Sequence, residues 1–424
     1  MDLSVIGERT YMAVLDTREK LAILADAAKY DASCASSGTS KRDSRDGKGI
    51  GSTEGSGICH AYAPDGRCIS LLKVLMTNFC IYDCQFCINR KSSNVRRARF
   101  APQEVVDLFM SFYRRNYVEG LFLSSGIIQN SDYTMEQMVL IARKLREEEN
   151  FRGYIHLKTI PDASAELIEK AGLYADRLSI NIELPTDAGI RSITPEKDGD
   201  RIRADMGVLK GAIDDGHDAM KRYRSAPRFA PGGQSTQMIV GADGADDRTI
   251  IGAAAGLYDR FRMRRVYYSA FSPIPDAHKA LPNGKPELVR EHRIYQSDWL
   301  MRLYGFTVED VQSAADDVTG MLPLDLDPKT AWALKNRHLF PVDINRASRE
   351  QLVRIPGMGT RTAGAIVSSR ANRTLRLADL AVLTRSWKRL KPWIVCADWT
   401  PGTVLDADDL GKRLAVRSEQ LQLL

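Results

Sequence analysis

Short runs of β-forming residues alternate with longer amphipathic stretches from Cys68 onward, and this alternation constrains the fold of the 424-residue chain more than any other feature. Strands that alternate with helices form parallel sheets, and six such units are enough for a partial or complete barrel. The chain is therefore predicted to be an α/β protein. The six predicted strands are Ile69–Thr77, Gly120–Ser125, Gly153–Ile160, Arg177–Leu184, Thr236–Gly241 and Arg265–Phe271.

Changes in composition predict five segments. Residues 1–67 are expected to form an N-terminal helix followed by a cysteine-containing loop, too rich in Ser and Gly to order itself. Residues 68–275 hold the alternating pattern, and a Pro-rich break introduces a helical connector over 276–336. Residues 337–400 are predicted to be a small all-α domain. Residues 401–424 are predicted to end the chain with a helix.

The distribution of apolar residues and the number of cysteines indicate the cellular compartment. No run of about 18 apolar residues occurs, and the amino end lacks the features of a signal peptide. Seven cysteines are an odd number and too few for a disulfide framework in a chain of this length. We therefore expect a cytoplasmic protein with no membrane partner, whose cysteines serve metal or redox chemistry.

Three cysteines follow the first predicted strand in a C-x3-C-x2-C loop. They are Cys80, Cys84 and Cys87, at the strand end where a barrel keeps its chemistry. Three thiolates can hold three irons of a 4Fe-4S cluster and leave the fourth iron without a protein ligand. The alternative is a zinc site, which needs a fourth ligand such as Cys59 or His60.

The loop resembles the signature of the radical S-adenosylmethionine (SAM) superfamily, C-x3-C-x-aromatic-C, in which Phe86 supplies the aromatic residue. The resemblance implies a partial (β/α)6 TIM-like barrel of the radical SAM type. It also implies a 4Fe-4S cluster on the three cysteines, SAM on the open iron and an electron donor for the cluster. The implied chemistry is cleavage of SAM to a 5′-deoxyadenosyl radical, which abstracts a hydrogen atom from the substrate.

The same resemblance implies cofactor contacts, with two departures from the usual pattern. Ser-Ser-Gly stands where the superfamily usually has Gly-Gly-Glu, and the glutamate expected after Gly241 is absent. The implied cofactor-binding residues are Phe86 beside the cluster, Ser124, Ser125 and Gly126 at the methionine amino group, Asn181 and Glu183 at the ribose or carboxylate, and Ile239 and Gly241 at adenine.

Two neighbouring predicted strands carry polar residues at alternate positions. These are His156 and Lys158 on the third strand, and Ser179, Asn181 and Glu183 on the fourth. A period of two places each set on one face of the sheet. Because buried polar groups are costly, we expect them to line a hydrated or ligand-filled cavity. The alternative is a solvated sheet edge.

Further cysteines bracket the Ser/Gly-rich loop. Cys34, Cys59 and Cys68, together with His60, are candidate ligands of an auxiliary iron-sulfur or zinc site that would tie the loop down. Their spacing matches no specific ligand pattern. The alternative is a set of unrelated thiols, one of which donates a hydrogen atom.

Positive charge is concentrated near the carboxyl end. Residues 336–396 contain twelve Arg or Lys and three Asp or Glu, a net charge of +9 against +6 for the whole chain. Within this segment, Ser348 is a predicted N-cap, and Glu350–Ile355 and Thr360–Arg370 are predicted helices joined by a Gly-Met-Gly turn. Such a turn presents backbone amides at a helix N-terminus, which favours an anion.

This stretch resembles the helix-hairpin-helix DNA-binding motif, and Leu377–Ile394 resembles a second, degenerate copy. The resemblance implies duplex DNA as the partner, bound through backbone phosphates with little reading of the bases. The alternative is a helical protein-interaction domain. The implied DNA-binding residues are Gly357, Met358, Gly359, Thr360, Arg361 and Thr362.

A second basic run follows the cysteine loop, and it is either solvated surface or a path that leads nucleic acid to the cluster. It consists of Arg90, Lys91, Arg96, Arg97 and Arg99.

As a whole, the chain resembles a bacterial family of radical SAM proteins with a helix-hairpin-helix tail, described as DNA modification or repair enzymes. We therefore predict a radical enzyme that acts on a nucleotide within DNA. One alternative is an RNA-modifying radical SAM enzyme. Another is an iron-sulfur, redox-sensing DNA-binding protein without turnover.

Overall fold

The computed structural model divides the chain into two compact units. Unit one comprises residues 1–181, 193–236 and 274–276, and unit two comprises residues 182–192, 237–273 and 277–424. The residues whose structure is described are 15–28, 58–62, 68–274, 279, 281, 282, 284 and 288–415. Cys34 and most of the Ser/Gly-rich loop lie outside them.

A seven-stranded sheet follows the order of the chain. The first strand is antiparallel to the second, and the remaining six form a curled parallel half-barrel, so the predicted partial barrel is confirmed. All six predicted strands are present, whereas the first strand was not predicted. The strands are β1 (Ile58–Tyr62), β2 (Cys68–Leu75), β3 (Gly120–Ser124), β4 (Tyr154–Lys158), β5 (Arg177–Ser179), β6 (Gln234–Val240) and β7 (Arg265–Ala270).

The helices begin where local sequence favours them. The Asn130 side chain accepts a hydrogen bond from the Tyr133 amide at the start of one helix, and Asp246 accepts one from Thr249 at the start of another. None of the described helices is long and apolar enough to cross a membrane. The helices are α1 (Thr17–Ala28), α2 (Pro102–Arg114), α3 (Ser131–Glu147), α4 (Ala165–Tyr174), α5 (Asp187–Ile193), α6 (Gly199–Arg222), α7 (Asp247–Phe261), α8 (Leu288–Tyr304), α9 (Val308–Ser313), α10 (Pro328–Lys335), α11 (Arg349–Arg354), α12 (Thr360–Arg370), α13 (Leu377–Leu383), α14 (Trp387–Leu390) and α15 (Leu410–Leu414).

The outer face of the half-barrel in unit one is an apolar core. Leu72, Leu121, Ile155 and Leu178, one from each of four adjacent strands, have no solvent exposure. Leu72, Leu121 and Ile155 pair in register, and Leu178 pairs with Leu157, two residues beyond Ile155 on the same face. The helices α2, α3 and α4 carry buried faces of their own. Burying each of these side chains contributes roughly 1.5–3 kcal/mol, which makes this layer the main stabilising contact of the unit.

The last strand, in unit two, has its edge closed by side chains rather than by another strand. Three alternate backbone N–H groups of β7 each donate to a side-chain oxygen of α7 or α8. An unpaired strand edge is a template for unwanted pairing, so this arrangement protects the sheet. The three bonds run from Val266 to the Tyr258 hydroxyl (2.9 Å), from Tyr268 to the Tyr295 hydroxyl (2.9 Å) and from Ala270 to the Glu291 carboxylate (2.7 Å).

The carboxy-terminal part of unit two contains two helical hairpins, α11–α12 and α13–α14, flanked by the paired two-residue strands β8 (Val342–Asp343) and β9 (Ile394–Val395). Edge-to-face contacts connect Phe306, Trp332, Phe340 and Trp393 in series, with ring centroids 5.0–6.2 Å apart. Because these rings come from both the connector and the hairpin segment, the two segments share one apolar core.

Candidate active site and helical hairpin

The cysteine loop begins at the carboxyl end of β2 and is closed at its base. An antiparallel bridge joins Thr77 to Arg99, and the Asn78 side chain bonds to the backbone of both Arg96 and Ala98, at 2.8 and 2.7 Å. Asn78 is buried, so these bonds are shielded from water. The strand end and this closure fix the position of the loop, as predicted from the order of strand and cysteines.

The three cysteines lie within this closed loop. Cys84 is buried, Cys80 and Cys87 are half-buried, and the Cys87 amide donates to the Cys84 carbonyl at 2.9 Å. Among the described residues, no three His, Cys, Asp or Glu side chains converge on a point that one metal ion could occupy. A 4Fe-4S cluster takes one cysteine per iron, so three cysteines in one closed loop fit it, whereas a closed zinc site needs a fourth ligand.

Cys59, one of the candidate fourth ligands of a zinc site, lies far from the cysteine loop. Cys59 pairs with Leu71, four residues before the end of β2 at Leu75. A strand rises about 3.3 Å per residue, so Cys59 lies about 13 Å from the strand end that carries the cysteine loop. Its side chain packs in an apolar cluster with Ile69 and Phe122 instead.

Arg97 holds the loop together from inside. Its guanidinium donates to the carbonyls of Asn89 (2.8 Å), Arg90 (2.6 Å) and Ser93 (2.9 Å) and to that of Asn78. Burial lowers the pKa of Arg97, and the neighbouring Cys80 and Cys87 oppose this effect. Arg97 therefore places a positive charge beside two of the three thiols.

This role changes the interpretation of the basic run after the cysteines. Arg90 is buried and donates to the Cys87 carbonyl at 3.3 Å, and Arg99 donates to the Tyr133 hydroxyl at 2.9 Å. Together with Arg97, these side chains support the loop. Only Lys91 and Arg96 of the run are exposed, so the surface available to nucleic acid there is smaller than the sequence indicates.

The inner face of the half-barrel carries the polar residues that the alternation predicts. Lys73, Phe122, His156 and Arg177 lie in register on four adjacent strands, and Lys158 shares their face two residues on. The solvated-edge alternative is wrong, because β4 and β5 each have a strand on both sides. Lys73 is an inner-face cation that the alternating pattern does not predict.

A short polar chain crosses this face. His156 Nε2 bonds to the Ser179 hydroxyl, which lies 3.2 Å from the Ser235 hydroxyl. Burial lowers the pKa of His156 well below its ordinary value, and the positive charges of Arg177 and Lys73 add to the effect. His156 is therefore a neutral imidazole at physiological pH.

The sequence of residues 74–254 matches the Radical SAM superfamily. The chain contains a radical SAM domain. Its superfamily implies a 4Fe-4S cluster and SAM.

The chain is also similar to three solved structures of low sequence identity, and it spans about half the length of the HydG chain that it matches. No curated protein sequence matches. The structures are methylornithine synthase PylB (13% identity, 73% of this chain and 84% of that one, TM-score 0.42), the FeFe-hydrogenase maturase HydG from Carboxydothermus hydrogenoformans (16%, 52% and 48%, 0.40) and coproporphyrinogen III oxidase HemN from Escherichia coli (14%, 54% and 50%, 0.34).

The Ser124–Gly126 segment of the radical SAM domain lies against the cysteine loop. The Gly126 amide donates to the Thr77 carbonyl at 2.7 Å, and the Ile81 amide donates to the Ile127 carbonyl at 2.8 Å. A Cβ at Gly126 would lie 2.2 Å from the Phe79 carbonyl oxygen. The segment thus packs against the cysteine loop, and Gly126 is required there by close packing. Its contact with SAM stays a prediction.

The predicted cofactor-binding residues that follow β5 do not continue it as a regular strand. β5 ends at Ser179, and Glu183 then pairs with Met238 of β6, with one more residue on the β5 side than a regular ladder has. Glu183 is buried at a φ of +66°, a conformation that costs free energy for a residue with a side chain. The predicted continuous strand to Leu184 is therefore wrong, and a bulge replaces its second half.

The remaining predicted cofactor residues lie on or near these strands, and their contacts with SAM stay predictions. Asn181 and Ile239 are buried, Phe86 is half-buried, and Gly241 follows β6 with a φ of +81° that favours glycine. The Ile239 amide donates to the Glu183 carbonyl at 2.7 Å, which joins two of the predicted positions within unit two.

The auxiliary cysteines do not converge where they are described. Cys59 pairs with Leu71, whereas Cys68 is three residues from Leu71 on the same strand, so the two cysteines lie on opposite faces of the β1–β2 hairpin. Cys59 is buried and Cys68 is exposed, and His60 pairs through its backbone with Ser70. Cys34 is outside the described residues, so an auxiliary site there stays a prediction without structural support.

The predicted first helical hairpin is present. Its second helix spans Thr360–Arg370 as predicted, and its first, Arg349–Arg354, is capped by Ser348, whose hydroxyl accepts from the Gln351 amide at 3.2 Å. Gly357 has a φ of +81° and Gly359 a φ of −91°. The turn therefore needs a glycine at Gly357 for its backbone conformation, but not at Gly359.

The second hairpin lies beside the first. A Cβ at Gly357 would sit 3.3 Å from Cβ of Arg389 and 3.8 Å from Cβ of Ser386, both in the α13–α14 hairpin. At Gly359, by contrast, the nearest atom is the Tyr304 hydroxyl, 3.8 Å away. One side of the Gly-Met-Gly turn is thus closed by the second hairpin, and Gly359 is open to approach.

Proposed function

We propose that this chain is a radical SAM enzyme that modifies or repairs a nucleotide within DNA, and that the α11–α12 hairpin binds the duplex. The observation that carries the proposal is the half-buried Gly-Met-Gly turn, which leads into a helix without a side-chain cap in a chain that also contains a radical SAM domain. Uncapped amides at a helix N-terminus favour an anion such as a phosphate.

The charge of the hairpin supports a polyanionic partner. Arg361 is exposed in the first turn of α12, and Arg349, Arg385 and Lys388 are exposed on the neighbouring hairpin helices and turns. Cations that neutralise phosphates release counterions, so binding should weaken steeply with salt and depend little on base sequence.

In the radical SAM domain, the chain's own residues would hold the cofactor. Cys80, Cys84 and Cys87 would hold the cluster, and Arg97 keeps their loop closed. When bound, the cluster and SAM supply one-electron cleavage of the sulfonium and abstraction of a hydrogen atom. On the inner face, the neutral His156 bonds to the Ser179 hydroxyl.

Formation of 5′-deoxyadenosine tests the radical chemistry. Anaerobically reconstituted chain should cleave SAM under reducing conditions, and the variant with alanine at Cys80, Cys84 and Cys87 should not. Absence of cleavage by the wild type with a fully loaded cluster would favour the redox-sensing alternative. Deuterium transfer from labelled oligonucleotides into 5′-deoxyadenosine would then identify the substrate and the abstracted position together.

Duplex affinity measured over a salt series tests the partner. Gly359→Val should weaken binding, because the side chain blocks approach to the turn while the backbone conformation at Gly359 accommodates it. Arg361→Glu should also flatten the salt dependence by about one unit of slope. Tighter binding of structured RNA than of duplex DNA would favour the RNA-modifying alternative, and unchanged affinity in both variants would remove the hairpin as the binding site.

A further inference from the structure

A lysine is buried directly behind the Gly-Met-Gly turn. Lys329, in the first turn of α10, is 7% exposed, and its ammonium donates to the carbonyls of Val353 at 2.8 Å and Met358 at 2.6 Å. The ammonium also lies 4.6 Å from the centre of the Tyr304 ring. The sequence does not single out Lys329, because this residue lies outside the motif and before the basic segment.

The contact with Met358 orients the next amide. The peptide group between Met358 and Gly359 is planar and trans, so its carbonyl and its N–H point in opposite directions. Since the carbonyl points inward to Lys329, the Gly359 N–H points away from it. Gly359 is itself open to approach, because a Cβ there would meet nothing closer than 3.8 Å.

The first amides of the helix that follows must also face outward if they are to bind an anion. α12 begins at Thr360, and the N-cap residue Gly359 supplies no side-chain acceptor to its first amides. The Gly359 N–H and these first-turn amides therefore form one group of donors, and the direction of the group depends on the backbone conformation of the turn.

We propose that Lys329 is the positioning residue of this turn: its ammonium draws the Val353 and Met358 carbonyls inward and so aims the Gly359 amide and the α12 N-terminus at a phosphate. The inference rests on the proposed binding of nucleic acid by the hairpin and adds the residue that organises it. Lys329 itself is buried and does not touch the phosphate.

Protonation of Lys329 should control the affinity. Burial lowers the pKa of Lys329 to about 8, and the charge of Asp327 at the start of the same helix opposes this effect. As the pH rises through 8, the ammonium loses its proton, its hold on the carbonyls weakens, and a positive charge behind the anion site disappears. The other ionisable groups on elements packed around it are Tyr304 on α8, Asp310 on α9 paired with Arg354 on α11, and Arg389 on α14.

The test compares Lys329→Met with Lys335→Met in the full chain. Lys335 lies on the same helix and also donates to a backbone carbonyl, that of Ala315 at 2.7 Å, but it does not contact the turn. Lys329→Met should bind a DNA duplex about tenfold more weakly, the effect of losing one charge-assisted contact. The salt slope should stay unchanged, because a buried lysine releases no counterion. Lys335→Met should bind like the wild type.

The pH profile separates positioning from a general loss of stability. Wild-type and Lys335→Met affinity should fall between pH 7 and pH 9, whereas Lys329→Met should lack this step. Ionisable groups common to all three chains contribute equally and cancel in the comparison. Equal affinity and equal pH profiles for Lys329→Met and wild type would overturn the proposal, as would a reduced salt slope.

A measurement without DNA distinguishes the positioning role of Lys329 from the proposed binding of DNA. It uses only the wild-type chain, so it does not depend on the folding of a variant. In wild-type chain labelled with ¹⁵N-glycine, the Gly359 amide resonance should shift with a midpoint near pH 8 and respond to added inorganic phosphate below it. A Gly359 resonance insensitive to pH in this range would overturn the role of Lys329. If this resonance titrates but no duplex binds, the proposed DNA partner fails while the positioning role stands.

Discussion

Gly126 of the radical SAM domain is packed closely against backbone atoms. Replacement by alanine would place a Cβ 2.2 Å from the Phe79 carbonyl oxygen and 3.3 Å from that of Thr77, both backbone atoms of the cysteine loop. Backbone cannot swing aside as a side chain can, so the loop or the Ser124–Gly126 segment must shift.

We therefore expect Gly126→Ala to lower the free energy of unfolding by roughly 1–3 kcal/mol and to reduce the iron retained per chain. The matched control is Gly211→Ala, in the middle of α6, where a Cβ meets nothing within 4 Å. That change should stabilise the chain by up to about 1 kcal/mol, because alanine favours a helix more than glycine does. Chemical denaturation and iron analysis of both variants check the prediction, and equal behaviour would contradict it.

At the scale of single residues, sequence motifs predicted the roles of the three cysteines and of the glycine turn, because the spacing of these residues along the chain is sufficient to recognise each motif. Arg97 and Lys329 could not be assigned in this way. Their partners are backbone carbonyls, which every residue carries, so nothing in the sequence separates a buried cation from an exposed one. The sequence consequently places Arg97 in a basic run that is either solvated surface or a path for nucleic acid.

The cysteine loop is the element that depends most on one side chain. The planar guanidinium of Arg97 reaches carbonyls on both sides of the loop, at Asn78 and at Asn89, Arg90 and Ser93. Lysine keeps the charge but has one compact ammonium, which cannot span this set.

Arg97→Lys should therefore loosen the loop and speed the loss of iron to a chelator, with the cluster measured by its visible absorbance. Arg96→Lys, the same change at the exposed neighbouring position, should lose iron at the wild-type rate. If both variants match the wild type, charge alone is sufficient and the carbonyl contacts are dispensable.

The bounds of an element were predicted well where they depend on adjacent residues, and poorly where they depend on pairing with a distant strand. The α12 helix was predicted to the residue, since its turn glycines and helix-forming residues are adjacent in sequence. The β5 strand was predicted five residues too long, because an alternating run such as RLSINIEL favours a continuous strand. The bulge at Glu183 depends on its register with β6, which a single strand does not encode.

At the scale of the whole molecule, the cysteines belong to unit one and the hairpin to unit two. We expect the two activities to be separable by substitution. The variant with alanine at Cys80, Cys84 and Cys87 should keep wild-type duplex affinity, and Gly359→Val should keep wild-type cleavage of SAM in the absence of substrate.

Measuring both activities on both variants, in the same buffer, checks this expectation. Loss of duplex binding in the cysteine variant would show instead that the cluster loop contributes to binding. Fold class was readable from the sequence because alternation repeats over six units, but the division into two units was not, since it depends on contacts between distant segments.

The side-chain closure of β7 has a consequence for engineering. A designer who wished to complete the barrel with further β/α units, or to graft a strand from another protein onto this edge, would find its amides already bonded to Tyr258, Tyr295 and Glu291. Each added strand must displace two phenols and a carboxylate before it gains a ladder of its own. Extension by insertion into loops is the easier route, because it leaves these three bonds intact.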